Sequence, residues 1–351
     1  YTRAWVRENG KQVIRIYSEG YAPFEVDLRS TSIDPAEYGR ASALVRGTAD
    51  AFLEYGLEGF DAYITSDVLP GSGLSSSAAL EILLGRICCA LTGAEKNSED
   101  LAILGQHVEN EYFGKPSGLL DQLACSAPGI IAVDLKEPKK PAIEDIPYDF
   151  RSAGYELCII NCGASHEDLT RCYADIPAEL GELCALLGGK VLRDIPEEEF
   201  YAGIPEIRSK CKDRAVLRAM HVYNENKRVE RQVRALKEDD IGTYLALVRE
   251  SGRSSWEFLP NVIPEGAGAH QEMALAIALA QKYLEGRGAV RVHGGGFAGT
   301  LQAYVPAAVK ESFRSAMESV LGTGSCIYVN IPAEHAAYTL PVKQGKGTAI
   351  R

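Results

Sequence analysis

The chain has 351 residues, a formal net charge of −11 at pH 7, and a composition that is 46% hydrophobic and 24% charged. This is the composition of a soluble globular protein long enough for two packed cores, and no apolar run could cross a membrane. The negative charge argues against nucleic acid or an anionic membrane as the main partner. A nucleotide site remains compatible with it, because phosphate binding needs only local positive potential.

The nine cysteines are an odd number and include no Cys-x-x-Cys pair. Several lie in apolar surroundings such as Leu157–Ile160, where a buried free thiol is the usual state. This pattern predicts a reducing cytoplasm, and it supports neither a zinc site nor a disulfide framework.

Hydrophobic periodicity predicts an α+β chain. The first part begins with a hairpin over residues 1–17, turning at Asn9-Gly10, and its other elements are a strand at 24–28, a helix at 35–55, a strand at 60–66, helices at 76–90 and 98–113, and a strand at 130–134. After a surface connection at 136–148, the pattern restarts with a strand at 156–160, a long helix at 213–237, helices at 268–284 and 306–320, and strands at 289–293, 300–305 and 326–331. The expected organisation is an amino-terminal lobe at 1–153, a carboxyl-terminal lobe at 154–341 and a loose tail at 342–351.

A glycine-serine segment between the strand at 60–66 and the helix at 76–90 is the most informative part of the chain. A helix start exposes unpaired N–H groups and the positive end of the helix dipole, glycine permits close approach, and serine hydroxyls bind phosphate or Mg²⁺. An ordinary N-cap is the alternative, but three serines behind two glycines favour a phosphate site. The predicted cofactor-binding residues are Gly71, Ser72, Gly73, Leu74, Ser75, Ser76 and Ser77.

Acidic residues follow in the segment Gln106–Gln122. Phosphoryl transfer needs a group that positions or deprotonates the accepting hydroxyl, and a Mg²⁺ ion that spreads the phosphate charge. Asp121 is the candidate for the first role, and Glu109 is the candidate for holding Mg²⁺ together with Ser76 or Ser77. Taken alone, such acids are more often solvated or helix-capping.

A third motif, Arg291–Thr300, joins two predicted strands and contains Gly294, Gly295 and Gly296. Successive glycines are costly in backbone entropy unless the backbone must approach something closely. A hairpin turn is the alternative, but it would need fewer residues. The motif therefore predicts a loop that faces a ligand.

The three motifs, in this order, resemble those of the galactose, homoserine, mevalonate and phosphomevalonate (GHMP) kinase superfamily, and within it the galactokinases. Pro70–Leu80 is similar to the nucleotide loop, Glu109–Gln122 to the segment with the catalytic aspartate, and His293–Gly299 to the glycine-rich third motif. The segments Leu192–Ile195, His221–Val229 and Asn161–Tyr173 also resemble galactokinases.

The resemblance implies a two-lobed GHMP-kinase-like fold, with a ribosomal-protein-like amino lobe, a ferredoxin-like carboxyl lobe and the active site between them. It implies transfer of the ATP γ-phosphoryl group to the C1 hydroxyl of galactose, with ATP and Mg²⁺ as cofactors and a sugar as the partner. Asp121 would then be catalytic, and the substrate would contact Gly118, Asp121, Tyr173 and Gly294–Gly296. Oligomeric state is left open.

The chain departs from the galactokinase pattern at two places. The motif Gly-Arg-x-Asn-x-Ile-Gly-Glu-His-Thr-Asp, which would precede Tyr1, is absent, so we expect an upstream region and low activity of these 351 residues alone. Ala174–Pro177 replaces an asparagine and paired arginines, which leaves open a related sugar as substrate. A non-catalytic sugar and nucleotide sensor on the same fold is the alternative, while a serine hydrolase would lack its Gly-x-Ser-x-Gly elbow.

Overall fold

The computed structural model describes residues 1–68, 74–127, 129–163, 169–297 and 299–331, and the backbone of 348–350. These residues form two compact units. The first contains 1–68, 74–145 and 348–350, and the second contains the described residues from 146 to 331.

One five-stranded sheet and four helices make up most of the first unit. The strands of this sheet are β1 (Thr2–Glu8), β2 (Val13–Ser18), β3 (Phe24–Asp27), β4 (Phe60–Ser66) and β11 (Thr348–Ile350). The helices are α1 (Ala41–Leu53), α2 (Ser76–Thr92), α3 (Ser98–His107) and α4 (Leu120–Ser126), and β5 (Ile130–Asp134) and β6 (Ala142–Ile146) pair separately. Alternating residues of the sheet pack on the apolar faces of α1 and α2, in a core that includes Val6, Ile14, Ile16, Ala62, Leu44, Phe52, Leu84 and Ile87.

The strand order β11-β1-β4-β2-β3 shows that the predicted hairpin of residues 1–17 is wrong. Strand β4 lies between β1 and β2, antiparallel to the first and parallel to the second. The reason lies in the turn after β1, which binds the start of β4: the Asn9 N–H donates to the Gly59 carbonyl at 3.0 Å, and the Gly59 N–H donates to the Lys11 carbonyl at 2.9 Å. The turn residues therefore bond to a third segment instead of closing a two-strand ribbon.

The predicted helices at 35–55 and 98–113 are each divided. A short 3₁₀ turn at Pro35–Glu37 precedes α1. Asn97, one residue before the predicted cap, caps α3 and forms a capping box with Asp100. After His107 the chain continues as a π-helical turn, Val108–Tyr112, in which the Phe113 N–H donates to the Val108 carbonyl, five residues earlier, at 3.0 Å.

The second unit is a four-stranded antiparallel sheet with six helices. The strands are β7 (Tyr155–Asn161), β8 (Ala289–Val292), β9 (Thr300–Pro306) and β10 (Cys326–Val329), in the order β10-β7-β9-β8. The helices are α5 (Thr170–Leu186), α6 (Glu197–Lys210), α7 (Asp213–Lys237), α8 (Ile241–Glu257), α9 (Glu272–Leu284) and α10 (Lys310–Leu321). Helices α9 and α10 pack on the sheet in one core, and α5, α6 and α7 form a second.

The units divide between Asp145 and Ile146, eight residues before the expected boundary at 153. The Phe150 ring packs at a tilt against those of Tyr304 and Tyr244 in the second unit, with ring centroids 5.0 and 5.4 Å apart, which places this segment on that side of the boundary. Residues 348–350 lie beside β1 as β11, and the segment expected to be a surface connection contains β6, so neither region is wholly irregular. Among the described residues, no helix has the length and apolarity that crossing a membrane requires.

The position of Gly59 generates a test of the strand order. A Cβ at this residue would overlap the carbonyl oxygens of Lys11 and Val13. Because both are backbone atoms, we expect Gly59→Ala to lower the free energy of unfolding by about 2–3 kcal/mol, measured by urea denaturation. Gly181→Ala is the control, since its Cβ meets nothing within 4 Å and alanine favours a helix. Equal stability of the two variants would contradict this account.

Candidate functional site

The start of α2 carries the described part of the predicted nucleotide loop. Ser75 precedes the helix with φ 55° and ψ 55°, a left-handed conformation that is strained for a residue other than glycine. Its hydroxyl donates a hydrogen bond to Asp121 Oδ2. Such strain is found mainly where the surrounding structure holds a functional group in place. The contact joins the predicted phosphate site to the predicted catalytic carboxylate.

The surroundings of this contact are open. Asp121 is exposed in the first turn of α4, and Gly118, three residues earlier, is exposed as well. Leu74 and Ser76 lie half-buried beside Ser75 at the start of α2, whose first N–H groups have no partner within the helix. Gly71, Ser72 and Gly73 lie outside the residues that the structure describes.

Glu109 lies beneath this surface as a buried carboxylate with three hydrogen-bond donors. Its Oε1 accepts from Ser77 Oγ at 2.7 Å and from Lys115 Nζ at 2.8 Å, and its Oε2 accepts from Gln122 Nε2 at 2.7 Å. Burial by itself would raise the pKa of Glu109, but hydrogen bonds from Lys115 and Ser77, together with the positive charge of Lys115, outweigh it and hold the pKa below its usual range. The group is therefore ionised at neutral pH.

Ser77 and Glu109 fit one side of a magnesium site. Their oxygen atoms are in contact, the carboxylate is ionised, and Mg²⁺ commonly uses one or two protein oxygens with phosphate and water as its remaining ligands. No group of three or more His, Cys, Asp or Glu side chains in the described ranges could enclose a metal ion. Of the two serines that the sequence left open, Ser77 is the one that contacts Glu109.

A second buried carboxylate, Glu81, lies next to this site and was missed by the sequence analysis. Its Oε2 accepts from the same Gln122 Nε2 at 3.0 Å, and Gly105 of α3 packs over it so closely that a Cβ there would lie 3.0 Å from Oε2. Burial, reinforced by the charge of Glu109, raises the pKa of Glu81 to about 8. At neutral pH, Glu109 is therefore ionised and Glu81 is protonated. One signal was available, because Glu81 is the single acidic residue in the predicted apolar helix at 76–90, four residues after Ser77.

Four of the predicted sugar-contacting residues, Tyr173 and Gly294–Gly296, form a second group, in the second unit. The Tyr173 hydroxyl donates to the Gly296 carbonyl at 2.7 Å, and its ring lies edge-on to Phe297 at a centroid distance of 5.4 Å. A Cβ at Gly295 would lie 2.7 Å from the tyrosine ring. Glycine at 295 therefore lets the ring lie against the loop. Gly294, with φ 66°, has open space around it.

Asn261 supports the same loop and was also missed. Its carbonyl accepts from the Phe297 N–H at 2.5 Å, and its side-chain amide donates to the Gly295 carbonyl at 3.1 Å. Gly296 has φ 82°, and a Cβ there would overlap the Asn261 carbonyl oxygen. A single asparagine in a connecting segment offers no sequence signal for this role.

The raised pKa of Glu81 predicts a pH-dependent stability. The Glu81 carboxyl binds its proton more tightly in the folded protein than in the unfolded chain, where its pKa is near 4.5. The protonated carboxyl therefore stabilises the folded state fully below about pH 4.5, and this contribution is lost as the pH rises through about 8. Glu81→Gln is neutral at every pH and should remove this part of the pH dependence in urea unfolding between about pH 5 and 9. Glu58→Gln, at an exposed position, is the control. The same slope in the wild type and Glu81→Gln would show that Glu81 is ionised.

Comparison with known proteins places this architecture in a family. The family model described as the GHMP kinases N terminal domain matches residues 43–129. The chain is 34% identical to the galactokinase of Glaesserella parasuis serovar 5 over 74% of its own length and 64% of that protein. It is 34% identical to the galactokinase of Actinobacillus pleuropneumoniae serotype 5b over 83% of its own length and 73% of that protein.

A solved structure gives the same result for the fold. The crystal structure of Lactococcus lactis galactokinase complexed with galactose superposes with a TM-score of 0.77 and 25% identity, covering 94% of this chain and 85% of that one. The α+β arrangement expected from the sequence and the GHMP-kinase-like fold are thereby confirmed. The chain belongs to the galactokinase family of the GHMP kinases, a family of sugar phosphotransferases.

Proposed function

We propose that the protein transfers the γ-phosphoryl group of ATP to the C1 hydroxyl of galactose, giving galactose 1-phosphate and ADP. The galactokinase names of the relatives and the galactose in the Lactococcus lactis structure support the substrate. The observation that carries the proposal within this chain is the hydrogen bond from Ser75 to Asp121. It brings together a helix start suited to phosphate and a carboxylate suited to a hydroxyl.

The start of α2 provides the phosphate site of this proposal. Leu74–Ser77 present backbone N–H groups and the positive end of the helix dipole, and both stabilise bound anions. Gly71, Ser72 and Gly73 would extend this cradle along the β- and γ-phosphates. Charged groups that fit the transferred phosphoryl group contribute the largest part of catalysis in such reactions.

Asp121 would orient the sugar hydroxyl and accept its proton. The hydroxyl oxygen forms a bond to the γ-phosphorus, the bond from that phosphorus to the ADP oxygen breaks, and the hydroxyl proton passes to Asp121. The Ser75 hydroxyl donates a hydrogen bond to Asp121 Oδ2, and this contact supports the proposal that the carboxylate accepts from a hydroxyl. A substrate hydroxyl would make the same type of bond.

Ser77 and Glu109 would hold Mg²⁺, with Ser76 as the alternative serine. The bound ion would supply positive charge that neutralises the phosphate oxygens. The protein residues supply two adjacent oxygen ligands, and Gln122 keeps the carboxylate in place through its second oxygen.

Gly118, Tyr173 and Gly294–Gly296 would contact the sugar. The Tyr173 hydroxyl donates a hydrogen bond to the Gly296 carbonyl, and its oxygen keeps lone pairs that could accept a hydrogen bond from a sugar hydroxyl. The residues that depart from the galactokinase pattern, Ala174–Pro177, lie within α5, where Asp175 pairs with Arg214 at 3.1 Å. A related sugar is thus an open alternative, and ADP release measured against a panel of sugars would identify the preferred one. The odd number of cysteines and the lack of a Cys-x-x-Cys pair in the sequence support a reducing cytoplasm as the proposed location.

Replacement of Asp121 tests the proposed chemistry. In the full-length protein, Asp121→Asn should lower kcat by about 10²–10⁴-fold, because asparagine cannot accept the hydroxyl proton. The ATP dissociation constant should stay close to that of the wild type, since the phosphate site is intact. ADP release in a coupled assay gives kcat, and titration calorimetry gives ATP affinity.

Glu111→Gln is the matched control, because Glu111 is an exposed acid in the same segment. It should leave kcat unchanged. Near-normal turnover of Asp121→Asn would overturn the role of Asp121. Saturable binding of ATP and galactose by a wild-type protein that releases no ADP would favour the non-catalytic sensor.

A further inference from the structure

Lys115 holds an unusual position between solvent and the buried acid of the proposed magnesium site. Gly114 has φ 76° and reverses the chain after the π-helical turn, and the Lys115 N–H then donates to the Glu109 carbonyl at 3.0 Å. The side chain returns to the Glu109 carboxylate at 2.8 Å. The lysine side chain is 55% exposed and that of Glu109 is 1% exposed, so the lysine extends from the solvent to a buried oxygen.

The three side-chain donors to Glu109 differ in charge. Ser77 and Gln122 are neutral, while Lys115 carries a positive charge and shares Oε1 with Ser77. A buried ionised carboxylate without a cation is strongly destabilising. Of these donors, Lys115 alone can supply the compensating charge.

We propose that Lys115 is a placeholder for the divalent cation: its ammonium group occupies Glu109 Oε1 until the cation binds there, and then leaves for solvent. The inference rests on the proposed function only in its assignment of Ser77 and Glu109 as cation ligands. Two cations in contact with one oxygen would repel each other, so occupancy by the metal requires the lysine to leave. Departure costs little, because the lysine side chain is flexible and its ammonium is readily hydrated.

Removal of the lysine charge should therefore favour metal binding. Mn²⁺ prefers the same oxygen ligands as Mg²⁺, and its binding to the nucleotide-free protein can be measured by electron paramagnetic resonance. We expect Lys115→Met to bind Mn²⁺ about fivefold more tightly than the wild type, since the competing ion pair is gone. Without metal, the same variant should have a lower Tm, and Mn²⁺ should raise its Tm by more than it raises that of the wild type.

Two controls separate this competition from a general change in charge. Lys115→Arg keeps a cation that can pair with Glu109 and should bind Mn²⁺ as the wild type does. Lys136→Met removes an exposed lysine charge from the same unit and should also leave Mn²⁺ affinity unchanged. Mn²⁺ binding by Lys115→Met should be lost in the double variant with Glu109→Gln, once circular dichroism has shown that the double variant folds.

The possible outcomes are decisive for Lys115. Equal or weaker Mn²⁺ binding by Lys115→Met overturns the proposal, and so does the absence of saturable binding, because Glu109 Oε1 should be available to the metal once the lysine is removed. The measurement needs no phosphoryl transfer. A protein that shows the expected Mn²⁺ competition but no ADP release would contradict the proposed function and leave the role of Lys115 supported.

Discussion

The ionised carboxylate of Glu109, buried in the first unit, is the interaction on which the candidate site depends. Burying a charge costs several kcal/mol unless opposite charge and hydrogen bonds compensate for it. Here the compensation comes from Ser77 on α2, Lys115 in the loop after the π-helical turn, and Gln122 on α4. Satisfying one carboxylate therefore positions three segments of the chain at once. Asp121 lies next to Gln122 in the first turn of α4, so its position follows from the same bonds.

The pairing of Glu109 with Glu81 extends this constraint. One side-chain amide, that of Gln122, donates to both acids, and two adjacent buried negative charges would repel each other strongly. The structure resolves the conflict by keeping one acid ionised and the other protonated. The donors gathered around Glu109 decide which acid carries the charge, while Glu81 lies closely packed under Gly105.

The glycine loop of the second unit illustrates a different constraint, close backbone approach. Gly295 leaves space for the Tyr173 ring, and Gly296 leaves space for the Asn261 carbonyl. The hydrogen bonds from Tyr173 and Asn261 then tie down a segment that glycine would otherwise leave free. The entropic cost of successive glycines, which indicated a functional loop in the sequence, is thus matched by specific contacts.

Local patterns in the sequence were sufficient for most elements and for the motif residues. The helix Asp213–Lys237 and the strand Phe60–Ser66 have their predicted bounds, because side-chain periodicity and end signals lie within each segment. The phosphate loop and Asp121 could be proposed as site residues from the sequence, because the chemistry of a helix start and of an acidic side chain can be recognised without knowing the partner residues. The order of β1, β4 and β2 and the contacts of Glu81, Lys115 and Asn261 were decided only by the tertiary structure. The strand order and the contacts of Glu81 and Asn261 depend on bonds between residues distant in the chain, and such bonds leave no periodic trace in the sequence. Lys115 reaches Glu109 across only six residues, but it does so through a π-helical turn and a left-handed glycine that periodicity does not predict.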